Sequence, residues 1–134
     1  MCQETVAALL EQWESTYKKG LLTFWLLLLL HKRPMYAFEM REAVSDTSGG
    51  TISADEKSIY RALRRFEAVG MVESFWKASD VGPRRRYYNL TELGINLLRR
   101  FTQRNILLFQ EPTVAALLAR LLDSSGGPEQ RTKT

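Results

Sequence analysis

Apolar residues recur at helical spacing from the start of the chain. Val6, Leu9, Leu10, Trp13 and Tyr17, with Glu4, Glu11 and Glu14 between them, predict an amphipathic helix over 5–17. Gly20 separates it from a second predicted helix, Leu21 to about His31, which is apolar nearly all round and so must be buried. Pro34 ends that helix and is placed to open a third, Met35 to about Val44. There Met35, Phe38, Met40 and Ala43 are apolar, while Glu39, Arg41 and Glu42 face water. Asp46-Thr-Ser-Gly-Gly50 reads as a loop.

Ser53 and Glu56 have capping-box spacing for a fourth helix running to Val69, with Gly70 placed for a left-handed cap. Met71 to Lys77 and Arg84 to Leu90 predict two strands, joined by the hairpin-loop composition Ala-Ser-Asp-Val-Gly-Pro. Thr91 is placed to cap a long last helix carrying Leu93, Leu97, Leu98, Phe101, Leu107 and Leu108. Pro112 interrupts it before Val114 to Leu122 continues as helix, and residues 124–134 predict a disordered tail. The order is four helices, a two-stranded hairpin, then helix. The fold class is mainly α with a two-stranded β-wing, a winged helix-turn-helix.

Composition narrows the chemistry. The 134 residues are 45% hydrophobic and 25% charged, as in an ordinary globular protein. One Cys and one His supply neither an internal disulfide, nor a usual zinc set, nor a Cys–His nucleophile pair. There is no Gly-rich phosphate loop or nucleophile elbow, so no enzyme, metal or cofactor is expected. The acid pairs Glu39/Glu42 and Asp55/Glu56 read as helix surface and cap. The run Leu21–Leu30 would span about 15 Å as helix, roughly half a bilayer core, so no membrane span is expected. Met1 to Leu10 carries no basic residue of the kind that opens a signal peptide, and the chain reads as cytoplasmic.

Net charge is +4, and its distribution says more than its total. Residues 51–100 hold ten basic and six acidic residues, whereas the rest of the chain holds nine of each. A polyanion partner would explain that asymmetry; a solvated surface is the plain alternative. On a helical wheel Ile59, Ala62, Leu63, Phe66 and Val69 form one face. Lys57, Arg61 and Arg64 fall opposite, with Tyr60 on one flank and Ser58 and Arg65 on the other. An outer face of cations with its acids at the two ends suits a DNA major groove, where Arg forks onto guanine and Lys or Ser holds phosphate. A solvated face would mix the signs in paired charges. Arg84, Arg85 and Arg86 repel one another and suit a phosphate backbone, or a charged edge strand that blocks aggregation. Strand alternation sends Arg85 to the opposite face from the other two.

Several ordered motifs resemble the PadR family of bacterial winged-helix transcription regulators. They are Gly20-Leu-Leu, Pro34-Met-Tyr-Ala-Phe-Glu-Met40, Ile59-Tyr-Arg-Ala-Leu-Arg-Arg-Phe-Glu67, Gly70-Met-Val72 and Gly82-Pro-Arg-Arg-Arg-Tyr-Tyr-Asn-Leu-Thr-Glu-Leu-Gly94. The likeness covers about residues 20–100. Ala37 and Phe38 depart from the family's Gly and Tyr, and Phe66 from its Leu.

The resemblance implies a homodimeric repressor on a palindromic promoter site, with the recognition helix in the major groove and the wing along the backbone or minor groove. It assigns DNA contacts to Lys57, Ser58, Tyr60, Arg61 and Arg64, and to Arg84, Arg85 and Arg86 of the wing; Arg65, on the flank of the same helix face, joins the DNA-binding set. It divides the chain into an N-terminal dimerisation helix (1–19), a winged-helix domain (20–90), C-terminal dimerisation helices (91–123) of the smaller subfamily's kind, and the tail (124–134). Leu9, Trp13, Leu97, Phe101, Leu108, Leu117 and Leu121 are then dimer contacts. Some members bind a flat hydrophobic effector between subunits. Trp13, Trp25, Phe101 and Phe109 are this chain's candidates for lining such a space, against the plainer reading of aromatic packing. From a different class, a winged helix docking an acidic protein on the same basic face stays open.

Overall fold

A computed structural model describes residues 3–123 of the chain. The predicted tail and Cys2 lie outside the described residues. The elements, in order, are α1 (Gln3–Lys32), β1 (Met35–Tyr36), α2 (Ala37–Thr47), α3 (Glu56–Ala68), β2 (Val72–Lys77), β3 (Arg85–Leu90), α4 (Glu92–Phe101) and α5 (Pro112–Asp123). Between α4 and α5 the chain passes through a wide π-type turn, Thr102–Ile106, and a tight 3-10 turn, Leu107–Gln110. It divides into two compact units, one ending at Leu98 and the other beginning at Arg99.

The first two predicted helices are one helix of 30 residues, α1. Gly20 does not break it. A glycine inside a helix costs about 1 kcal/mol against alanine, which the buried second half outweighs. Phe24, Leu26, Leu27, Leu29 and Leu30 are all buried, as an all-round apolar helix requires.

Around them pack Met40 and Val44 of α2, Ile59, Ala62, Leu63 and Phe66 of α3, and Tyr88 and Leu90 of β3. Val69, predicted on the buried face of α3, is 64% exposed, because the helix ends at Ala68 and Val69 has left the helical path. Gly70 follows at φ +82°, the left-handed position expected of it.

The two-stranded wing is present, with one strand added. Met35 and Tyr36 do not open a helix; they pair antiparallel with Tyr88 and Tyr87 and extend the sheet to the order β1-β3-β2. Helix α2 begins only at Ala37. The start of α3 also shifts. Its cap is Asp55, whose Oδ1 accepts from the Ser58 amide at 2.7 Å, in place of the Ser53/Glu56 box. Both spacings occur in the sequence, and the acceptor next to the first helical residue is the one in use.

At the other end of the wing Thr91 caps α4, its hydroxyl oxygen accepting from the Gly94 amide at 3.1 Å. The predicted long last helix is α-helical only as far as Phe101; the π-type and 3-10 turns carry the chain on to Gln110, and Pro112 opens α5. Among the described residues no single helix is long and apolar enough to cross a membrane.

Candidate nucleic-acid interface

Helix α3 presents the predicted cationic face. With Ile59, Ala62, Leu63 and Phe66 held in the core, Lys57, Arg61, Arg64 and Arg65 are exposed and Ser58 is half-buried. Tyr60 flanks them, and the Arg64 guanidinium lies 5.9 Å from the centre of its ring. The hydrogen bonds from Ser58 hold the Asp55 carboxyl below the usual aspartate value, with Arg61 and Lys57 adding a smaller pull. A fixed negative charge at the positive end of the helix dipole steadies the first turn, which carries Lys57 and Ser58.

The wing arginines differ from one another. Arg84 and Arg85 are exposed, Arg84 over the Trp76 ring at 5.4 Å and Arg85 over the Tyr36 ring at 4.7 Å. Arg86 is half-buried and engaged within the chain. Its Nε donates to Ser74 Oγ at 3.0 Å and its Nη2 donates to Glu67 Oε1 at 3.2 Å, while Ser74 Oγ donates to Glu67 Oε2 at 2.6 Å. The turn feeding these residues needs Gly82, whose φ of +88° only glycine adopts freely.

An open pocket of about 210 Å³ lies where the wing meets α3, lined by Tyr36, Ala37, Phe38, Glu56, Tyr60, Arg85, Arg86 and Tyr88. Tyr88 is fully buried, and its hydroxyl finds no hydrogen-bond partner among the described residues. Burial raises its pKa above the ordinary tyrosine value, partly opposed by Arg86.

Helix-wheel reasoning missed Trp76, Lys77 and Tyr36, which β-sheet register brings beside the wing arginines. Strand alternation over 72–77, paired against 85–90, is the signal that carries the first two. The seven predicted dimer residues Leu9, Trp13, Leu97, Phe101, Leu108, Leu117 and Leu121 are all exposed on the chain, Trp13 by 74%. Leu10, Trp13, Glu14 and Tyr17 line an open apolar pocket of about 220 Å³ on α1. No group of three His, Cys, Asp or Glu among the described residues could hold a metal ion.

An amphipathic helix with its cations outward, seated beside an arginine-bearing β-hairpin, is the winged-helix arrangement found in DNA-binding regulators. More particularly, the chain belongs to the transcriptional regulator PadR-like family, whose model matches residues 26–100. Among solved structures it is similar to a PadR-like transcriptional regulator from Bacillus cereus, at 30% identity and a TM-score of 0.62 over 75% of this chain and 93% of that one. It shares its fold with a PadR family regulator from Eggerthella lenta, at 23% identity and a TM-score of 0.70 over 86% of this chain and 96% of that one. It also shares its fold with Bacillus subtilis PadR, solved in complex with operator DNA, at 21% identity and a TM-score of 0.56. That match covers 60% of this chain and 46% of that one.

Proposed function

We propose that this DNA-binding transcription regulator of the PadR-like family acts as a homodimeric repressor. In this reading α3 enters the major groove, and Arg84 and Arg85 of the wing hold the backbone or minor groove. The observation that carries it is the acid-free row Lys57, Arg61 and Arg64 on α3, exposed opposite a fully buried face. Arg61 and Arg64 read base edges; Lys57, Ser58, Tyr60 and Arg65 position the helix on phosphates. The operator DNA bound to Bacillus subtilis PadR supports the same partner.

Pairing rests on apolar surface that a lone chain leaves in water. Val6, Leu9, Leu10, Trp13 and Tyr17 form one exposed face of α1, and Leu117, Leu118, Leu121 and Leu122 are exposed on α5. Surfaces of this kind mark association sites. Two-fold pairing sets the two α3 helices about 34–36 Å apart, one turn of DNA. A flat hydrophobic effector would stack on Trp13, in the pocket it shares with Leu10 and Tyr17.

The test is binding to duplex DNA from upstream of its own coding region, at two salt concentrations. Affinity should fall about 10³-fold or more from 50 to 200 mM salt and exceed that for random DNA. Arg61→Ala/Arg64→Ala should erase the preference. Equal binding to both DNAs by the wild type would rule out sequence-specific regulation at that site. Light scattering that shows a monomer at micromolar concentration would remove the dimer.

A further inference from the structure

One face of the sheet carries a row of aromatic rings. Phe75 stacks on Tyr87 at 5.7 Å between centroids, Tyr87 meets Tyr36 edge-on at 5.3 Å, and Tyr36 stacks with Phe38 at 6.4 Å. Three cations lie over this row. Lys77 Nζ is 5.3 Å from the Tyr87 centroid, the Arg85 guanidinium is 4.7 Å from that of Tyr36, and the Arg41 guanidinium is 4.8 Å from that of Phe38.

Strand register sets Lys77 directly opposite Arg85, as it sets Phe75 opposite Tyr87. Like charges facing each other across a strand pair work against the pairing. No ion pair among the described residues engages Lys77 or Arg85, and Arg41 meets only the exposed Glu42 beside it, at 3.6 Å. Such a contact contributes little in water. Lys77 and Arg85 are therefore held against each other, with only their ring contacts to offset the repulsion. The ring contacts restrain all three side chains, so less of their freedom remains to be lost on binding.

A repeating anion relieves this arrangement. Tyr36, Phe38 and Arg85 share their pocket with Glu56 and Tyr60 of α3, so the row begins beside the helix that reads DNA. We propose that Arg41, Arg85 and Lys77 form a ring-supported track for the phosphate backbone of the duplex that α3 reads. Tyr36, Tyr87 and Phe38 are its positioning residues. The inference rests on the DNA-binding reading and adds Arg41 and Lys77 to it.

The experiment measures affinity of the full chain for a random-sequence duplex of about 30 base pairs, from about 50 to 200 mM salt, because phosphate contacts are independent of sequence. Removing one phosphate-binding cation should flatten the log–log salt slope by about 0.9, or about 1.8 for a two-fold dimer. Lys77→Gln and Arg41→Gln should each do so, whereas Lys19→Gln, far along α1, should leave the slope alone. Unchanged slopes for Lys77→Gln and Arg41→Gln, with Arg61→Gln still flattening it, would overturn the track and leave the DNA reading intact. A wild type that binds no duplex at low salt removes both.

Discussion

Arg86 and Glu67 stand 3.2 Å apart, joining the return strand of the wing to the last turn of α3. With Ser74 between them on β2, the contact closes a triangle that fixes the hairpin at one angle to α3. The three consecutive arginines thus divide their labour: Arg84 and Arg85 face outward, and Arg86 holds the part that presents them.

Arg86→Ala should therefore act on stability before it acts on DNA. Both side chains are about one-third exposed, so screening keeps the loss near 1 kcal/mol, or a melting shift of about 4–8 °C at fixed protein concentration. The salt slope of DNA binding should stay at the wild-type value. A flattened slope with unchanged melting would make Arg86 a phosphate contact, as the run of arginines in the sequence first indicates.

Tyr88→Phe should stabilise the protein. Its hydroxyl is buried without a partner among the described residues, and an unmet polar group of that kind costs about 1–3 kcal/mol. The pH dependence has a definite sign. Burial raises the folded pKa above the unfolded value, so the tyrosine's contribution is complete below about pH 10 and is lost as pH rises through the folded value. Chemical denaturation between pH 8 and 11 should show a steeper decline for wild type than for Tyr88→Phe. Parallel curves would mean that the hydroxyl is hydrated in solution.

Two glycines should respond oppositely to alanine. A Cβ on Gly20 meets open space on α1, so Gly20→Ala should add about 0.5–1 kcal/mol through helix propensity. A Cβ on Gly94 would collide with the Met71 carbonyl, which Thr91 grips through both its amide and its hydroxyl. That carbonyl cannot move aside freely, and Gly94→Ala should cost about 1–3 kcal/mol. Urea denaturation of the two variants checks the pair. A neutral Gly94→Ala would show that α4 can shift away from Met71.

The cap of α3 should give a signature in acid. The folded Asp55 pKa is depressed, so its charge stabilises the fold above the unfolded value near 4, and the benefit disappears as pH falls through the folded value. Asp55→Asn keeps a capping oxygen without the charge. The melting-temperature gap between wild type and Asp55→Asn should narrow steadily as the pH falls below about 5. A gap that does not change from neutral pH into strong acid would contradict the charge-based account.

What the sequence reveals here follows the range of the interactions involved. Helix α3, its buried face and the Gly70 and Thr91 caps depend on residues within a few positions of one another, and their pattern is plain in the chain. Strand β1 is not, because Met35 and Tyr36 become a strand only by pairing with Tyr88 and Tyr87, some fifty residues on. The engagement of Arg86 is hidden for the same reason: Glu67 lies 19 positions away. The continuity of α1 through Gly20 is a question of energy, settled by the core around Phe24 to Leu30. The π-type turn at Thr102–Ile106 has no breaker residue to announce it.

The length of α1 makes the molecule a lever. Its buried half is clamped against α2 and β3, while the stretch from Val6 to Tyr17 projects as a rigid arm of about 17 Å with no joint at Gly20. Displacing the tip of such an arm by about 2 Å turns its clamped end by roughly 7°. Anything that wedges against Trp13 would thus be felt as rotation at the base, where α1 packs against α2 and β3.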